Sequence, residues 1–198
     1  MKLFLLLLIF LAGCSSEAPL PREVIWGRSS GAPPLYRAEV PASWEKLPRE
    51  EGLEDTTRPI ASYLIREGAQ AIRIAVHNFP AYEKQQRIPP QANLARWRGQ
   101  FEELKESHWA VKACSRGGFC GLMLDASGKL RGEEARLLAW SMQMAERPWN
   151  ALQLRGFSEK GADYTIKASG PLSLMNKHAP QIERFAETFE LIEELPGL

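Results

Sequence analysis

An α+β domain, a mostly antiparallel β-sheet flanked by helices, is predicted by three patterns in this 198-residue chain. Ile72, Ile74 and Val76 alternate with Arg73, Ala75 and His77, as a strand covered on one face requires. Leu94, Trp97, Phe101 and Leu104 recur at spacings of three and four, the apolar stripe of an amphipathic helix. Met175, Ile182, Phe185 and Phe189 share one face of a second helix near the C-terminus. Strands crowd the middle of the chain and a helix lies on either side of the later group, so helices packed on an antiparallel sheet is the economical arrangement.

The first residues set an address before any fold begins. Residues 3–12 (LFLLLLIFLA) are wholly apolar behind one charge, Lys2. Such a stretch rises ~15 Å as a helix, half the ~30 Å of a bilayer core, so residues 1–13 read as a signal peptide rather than a span. Leu11-Ala12-Gly13-Cys14 resembles the lipobox of bacterial lipoproteins. The resemblance implies cleavage before Cys14, diacylglycerol on its thiol and a further acyl chain, commonly palmitate, on its amine. Each buried methylene contributes ~0.8 kcal/mol, so two or three chains would hold the protein at a membrane. Ser15 in place of Asp implies, in Gram-negative lipoproteins, the outer membrane facing the periplasm. Residues 14–34, rich in Ser, Pro and Gly, read as a flexible tether whose island Val24-Ile25-Trp26 either adds an edge strand or stays loose. Residues 35–198 read as a single α+β domain.

Within that domain Leu35–Val40 is a strand candidate stopped by Pro41. Ile60–Arg66 and Ala71–Phe79 form a hairpin across Glu67-Gly68-Ala69-Gln70. Pro89-Pro90 opens a helix over Gln91–Ser107. Strands follow at His108–Ala113, Gly121–Ala126 and Glu134–Met144. The last also contains good helix formers, but Leu138, Trp140, Met142 and Met144 alternate as a strand would. Trp149–Phe157 and Ala162–Ala168 read as a second hairpin across Ser158–Gly161, and Leu172–Ile192 as a helix kinked or effectively started at Pro180.

The order of elements resembles the PsbP-like α/β/α sandwich, a fold that recurs in extrinsic and lipid-anchored proteins. The landmarks are Val40-Pro41-Ala42-Ser43-Trp44, the helix segment from Asn93 to Gln100 (NLARWRGQ), and YTIKASGP over Tyr164–Pro171. The resemblance implies a fold and carries no activity to transfer.

Charge is balanced, 25 Lys+Arg against 24 Asp+Glu, which argues against a nucleic-acid partner. A 44% hydrophobic content argues against disorder. Cys114 and Cys120 flank a glycine-containing hairpin tip, and an exported protein meets an oxidising compartment, so a disulfide is expected. Its C-x5-C spacing differs from redox motifs. His77, His108 and His178 form no metal-ligand spacing, and neither a nucleophile elbow nor a phosphate loop is present, so no catalytic residue, metal or cofactor is expected. Asn93, Arg96, Trp97 and Gln100 share one helix side, where an arginine beside an indole and two amides could recognise a planar anion or a peptide backbone; the alternative is that Trp97 is core and the polar groups bond neighbouring loops. The expected function is a non-enzymatic, lipid-anchored envelope domain docking on a membrane or periplasmic assembly through a protein partner. A small-ligand or peptide binder is the alternative, and a cell-wall enzyme is the third.

Overall fold

The computed structural model describes residues 20–104, 106–156 and 159–195. The expected signal peptide, Cys14 and the start of the tether lie outside these residues. The elements run β1 (Arg22–Trp26), β2 (Pro34–Glu39), β3 (Glu45–Lys46), β4 (Ala61–Glu67), β5 (Gln70–Phe79), α1 (Pro90–Arg98), β6 (Trp109–Arg116), β7 (Phe119–Leu130) and β8 (Glu133–Met144). They continue through α2 (Glu146–Gln153), β9 (Asp163–Pro171), α3 (Leu172–Thr188) and β10 (Glu190–Leu191).

Seven strands form one sheet in the order β3-β4-β5-β9-β8-β7-β6, and β1-β2-β10 form a second, smaller one. The paired strands are antiparallel throughout. Two hairpins are closed by two-residue turns in which both residues have positive φ, Gly117-Gly118 and Arg131-Gly132. That is the twist-matched turn for a right-handed β-ribbon.

The strand alternation sorts side chains onto two cores. Ile72, Ile74 and Val76 on β5 join Tyr164, Ile166 and Ala168 on β9 beneath α3, whose Met175, Ile182 and Phe185 are fully buried there. An aromatic cluster fastens the small sheet to this core. Tyr36 of β2 stacks on Phe189 at 4.7 Å, and Phe189 lies 4.8 Å from Tyr164 of β9. On the opposite face Leu94 and Trp97 of α1, with Phe101, cover Leu124, Ala126, Leu137 and Ala139 of β7 and β8. The result is an α/β/α sandwich with α1 outside and α3 inside.

Several elements depart from the sequence reading. Trp149–Phe157 is not a strand: Trp149–Gln153 belongs to α2, with Trp149 and Leu152 buried one helical turn apart. The reason is topological, because β9 already has β5 on one edge and β8 on the other, leaving no edge for a hairpin partner. Helix α1 ends at Arg98 rather than Ser107. The chain beyond it crosses the end of the β7–β8 hairpin, where Glu102 N–H donates to Lys129 O and Lys129 N–H donates to Glu103 O. Gly128 permits that crossing, since a Cβ there would lie 2.2 Å from Glu103 O. Helix α3 passes through Pro180 unbroken and stops at Thr188, freeing Glu190–Leu191 to pair with β2.

The tether is also shorter than residues 14–34. The Val24-Ile25-Trp26 island is an edge strand on β2, and Arg28 locks the segment down. Its guanidinium donates to the carbonyl oxygens of Leu53, Asp55, Thr56, Arg58 and Asn78 at 2.8–3.3 Å. Glu159 accepts the Arg28 and Ser29 backbone N–H groups at 2.7 Å each. One guanidinium thus organises the long loop between β3 and β4, which has little regular structure of its own. Arg28→Ala is expected to cost at least about 2 kcal/mol, because several partly buried carbonyls lose their donor together. Urea unfolding with the slope held fixed measures it, and Arg28→Lys should recover little, since an ammonium cannot span that spread of acceptors.

Candidate functional site

Of the four residues proposed on the first helix, the fold uses two as structure. Trp97 is 3% exposed in the core under α1. Asn93 is equally buried, and its Nδ2 donates to Ser141 Oγ on β8 at 2.9 Å. Arg96 Nη2 donates back to Asn93 Oδ1 at 3.0 Å. Gln100 Oε1 accepts from Lys167 Nζ at 2.7 Å. Arg96 and Gln100 are exposed and stand at the border between the strands α1 covers and those it leaves bare.

That border opens a cleft of 1190 Å³ over the outer face of β5 and β9. Strand alternation puts Arg73 on β5 and Lys167 and Ser169 on β9 in this cleft, and the β7–β8 turn adds Arg131. Glu133 and Glu134 lie at the same end. Arg73 has Glu50 at 3.7 Å, but Arg96, Arg131 and Lys167 have no carboxylate within ion-pair distance among the described residues. Burial, with Arg96 and Arg131 nearby, holds the Lys167 ammonium below the usual lysine range. Uncompensated cations on a half-buried polar floor favour an anionic occupant. Lys167, Arg131 and Arg73 escaped the sequence reading because each looks like an ordinary strand or turn cation. The available signal was register: Arg73 alternates against Ile72 and Ile74, and Lys167 lies between Ile166 and Ala168.

His77 lies on this outer face as well. Its Nε2–H donates to Thr57 O at 3.1 Å, and burial lowers its pKa to about 4, with Arg28, Arg96 and Lys167 adding to the effect. The imidazole is therefore neutral at pH 7 and already committed.

The expected disulfide is absent, and register explains why. Cys114 pairs with Gly121 and Cys120 with Ser115, so the two side chains project from opposite faces of the β6–β7 ribbon. Cys114 packs against the α3 core, while Cys120 is exposed on the other face. Burial pushes the Cys114 thiol up, away from the thiolate that nucleophilic or redox chemistry needs. The short glycine tip that suggested a bridge brings the strands together one register step out of phase.

Comparison with solved structures gives the fold. The fold is that of the PsbP-like proteins. The chain is similar to the structure of LpqN, "involved in cell envelope biogenesis of Mycobacterium tuberculosis", with TM-score 0.54 and 13% identity over 86% of this chain and 90% of that one. It is also similar to the cyanobacterial PsbP (CyanoP) of Synechocystis sp. PCC 6803, with TM-score 0.53 and 12% identity over 90% of this chain and 96% of that one. No protein-family model matches the sequence, and no curated protein matches it significantly.

Two measurements bear on the outer face. His77 has a folded pKa below its unfolded one, so the unfolded chain takes the proton first as pH falls. Stability should accordingly be lost between pH 6.5 and about 4, and His77→Gln should flatten that part of the profile in thermal melts. Lys167→Met should leave stability unchanged or raise it by about 0.5–1 kcal/mol, the opposite of an ordinary truncation, because it removes a crowded, half-buried charge.

Proposed function

We propose that the chain is a non-enzymatic, lipid-anchored cell-envelope domain that docks on a membrane or periplasmic assembly. The observation that carries this reading is the lipobox-like Leu11-Ala12-Gly13-Cys14 at the end of an apolar leader, followed within a few residues by a folded domain. Strand β1 begins at Arg22, eight residues after Cys14. Even fully extended, that stretch spans at most about 28 Å, so an acylated Cys14 would hold the domain close over the lipid. Val24 and Trp26 are 43% and 41% exposed on this first strand, and an exposed indole suits the polar–apolar boundary of a bilayer. A structural neighbour named for cell-envelope biogenesis fits the same address. The committed His77 imidazole and the protonated Cys114 thiol support a domain that binds rather than turns over substrate.

The cleft beside α1 favours a second reading, a lipoprotein that binds a small anionic ligand or a peptide. Arg131 and Lys167 on a polar floor, with Arg96 near enough to act on the Lys167 charge, are the supporting groups.

Cys14→Ser tests the first reading. The wild-type protein should fractionate with membranes and partition into detergent, and the variant should become soluble in the same cells. Unchanged membrane retention of the variant would refute lipid anchorage through this residue.

A further inference from the structure

The two edges of the seven-stranded sheet are managed differently. One ends in β3, two residues long, too short to template another strand. The other ends in β6, eight residues in unbroken register with β7, without proline or bulge. It presents about 26 Å of main chain that pairs with nothing on its outer side among the described residues. Even its small residues Ala110 and Ala113 are exposed, so no loop among the described residues covers it.

Beneath this edge the inner face of the sheet is only partly covered: Trp140 is half-buried, while Met123, Met142 and Ile166 are buried. A pocket of 350 Å³ lies between β6 and α3, floored by Met123, Trp140, Met142 and Ile166. Lys112, Cys114 and Arg116 project into it from β6, and Glu183 and Glu187 stand on the far wall on α3. Strand β6 itself carries two cations on this face and no carboxylate.

We propose that β6 is a docking strand for an extended acidic segment of a partner protein, which adds to the sheet edge and seats one apolar side chain in the pocket beneath. The inference rests on the reading of the chain as a docking domain and names its contact surface. Main-chain pairing along the edge supplies affinity, and alternate side chains supply selectivity. On the inner face of the added strand, acidic residues stand opposite Lys112 and Arg116, and the apolar residue between them lies over Cys114. Glu183 and Glu187 line the far side of the floor, so the acids belong at the β6 rim. A second copy of β6 fits poorly, because it would bring a second Lys112 and Arg116 along the same seam.

Cys114 and Cys120 provide the readout. They sit on opposite faces of one hairpin, so only Cys114 is screened by an occupant of the pocket. The probe is a nine-residue peptide, Thr-Thr-Glu-Thr-Leu-Thr-Glu-Thr-Thr, added to the full chain in detergent without reductant. Without peptide both thiols should alkylate. At saturating peptide, alkylation of Cys114 should slow at least about tenfold, because only the detached state leaves it open, while Cys120 stays unchanged. A version N-methylated at alternate residues should not protect. Lys112→Glu combined with Arg116→Glu should transfer the preference to the matching peptide with lysines in place of its glutamates. Unchanged Cys114 reactivity at millimolar peptide, or equal protection by the N-methylated version, would sink the proposal. Concentration-dependent protection of Cys114 without peptide would overturn it in favour of a second copy of the chain. Detergent-solubilised protein separates this outcome from the membrane-release experiment, since neither result depends on the other.

Discussion

One mismatch of dimensions governs this molecule: a seven-stranded sheet is wider than the helices laid on it. Six inter-strand spacings of about 4.8 Å make a surface near 29 Å across, whereas a helix with its side chains covers about 10 Å. On the inner face α3 lies over the central strands, and the small sheet β1-β2-β10 extends the cover on one side. On the outer face α1, only nine residues long, covers β7 and β8. What is left uncovered is the outer face of β5 and β9 and the inner face beside β6. The cationic cleft and the apolar pocket under the free edge are these two remainders.

The remainders differ in chemistry because the strands beneath them alternate differently. Toward the cleft β9 presents Lys167 and Ser169, and β5 presents Arg73, a polar surface that can stay wet. Toward the pocket β7 and β8 present Met123, Trp140 and Met142, an apolar surface rimmed by charge. The first suits a hydrated anion and the second a side chain that leaves water. Rigidity comes from elsewhere: the Tyr36, Tyr164, Phe185 and Phe189 cluster ties α3 to both sheets, and Arg28 gathers four carbonyls from a loop that would otherwise be slack and one from β5. The sites are thus bare margins of a firmly packed centre.

Much of this was legible in the residues. The β4–β5 hairpin, the strand β8, the apolar stripes of α1 and α3 and the sandwich class follow from alternation and helical period, which are local. The α2 segment was misread because Trp149 and Leu152 satisfy an apolar pattern in either period, and only the occupied edges of β9 decide between them. The polar stripe on α1 divides: Asn93 and Trp97 are consumed by Ser141 and the core, while Gln100 lines a cleft with Lys167, from a strand some seventy residues away in the sequence.

The sequence by itself determined most of the strand and helix segments and which of their faces are apolar. These depend on neighbours a few residues apart. Tertiary structure alone decided the strand order, the faces on which the two thiols emerge, the folding of Arg22–Trp26 onto β2, and the margins the helices leave bare. Each is set by register and by competition for sheet edges and faces, and those are properties of distant segments meeting in space.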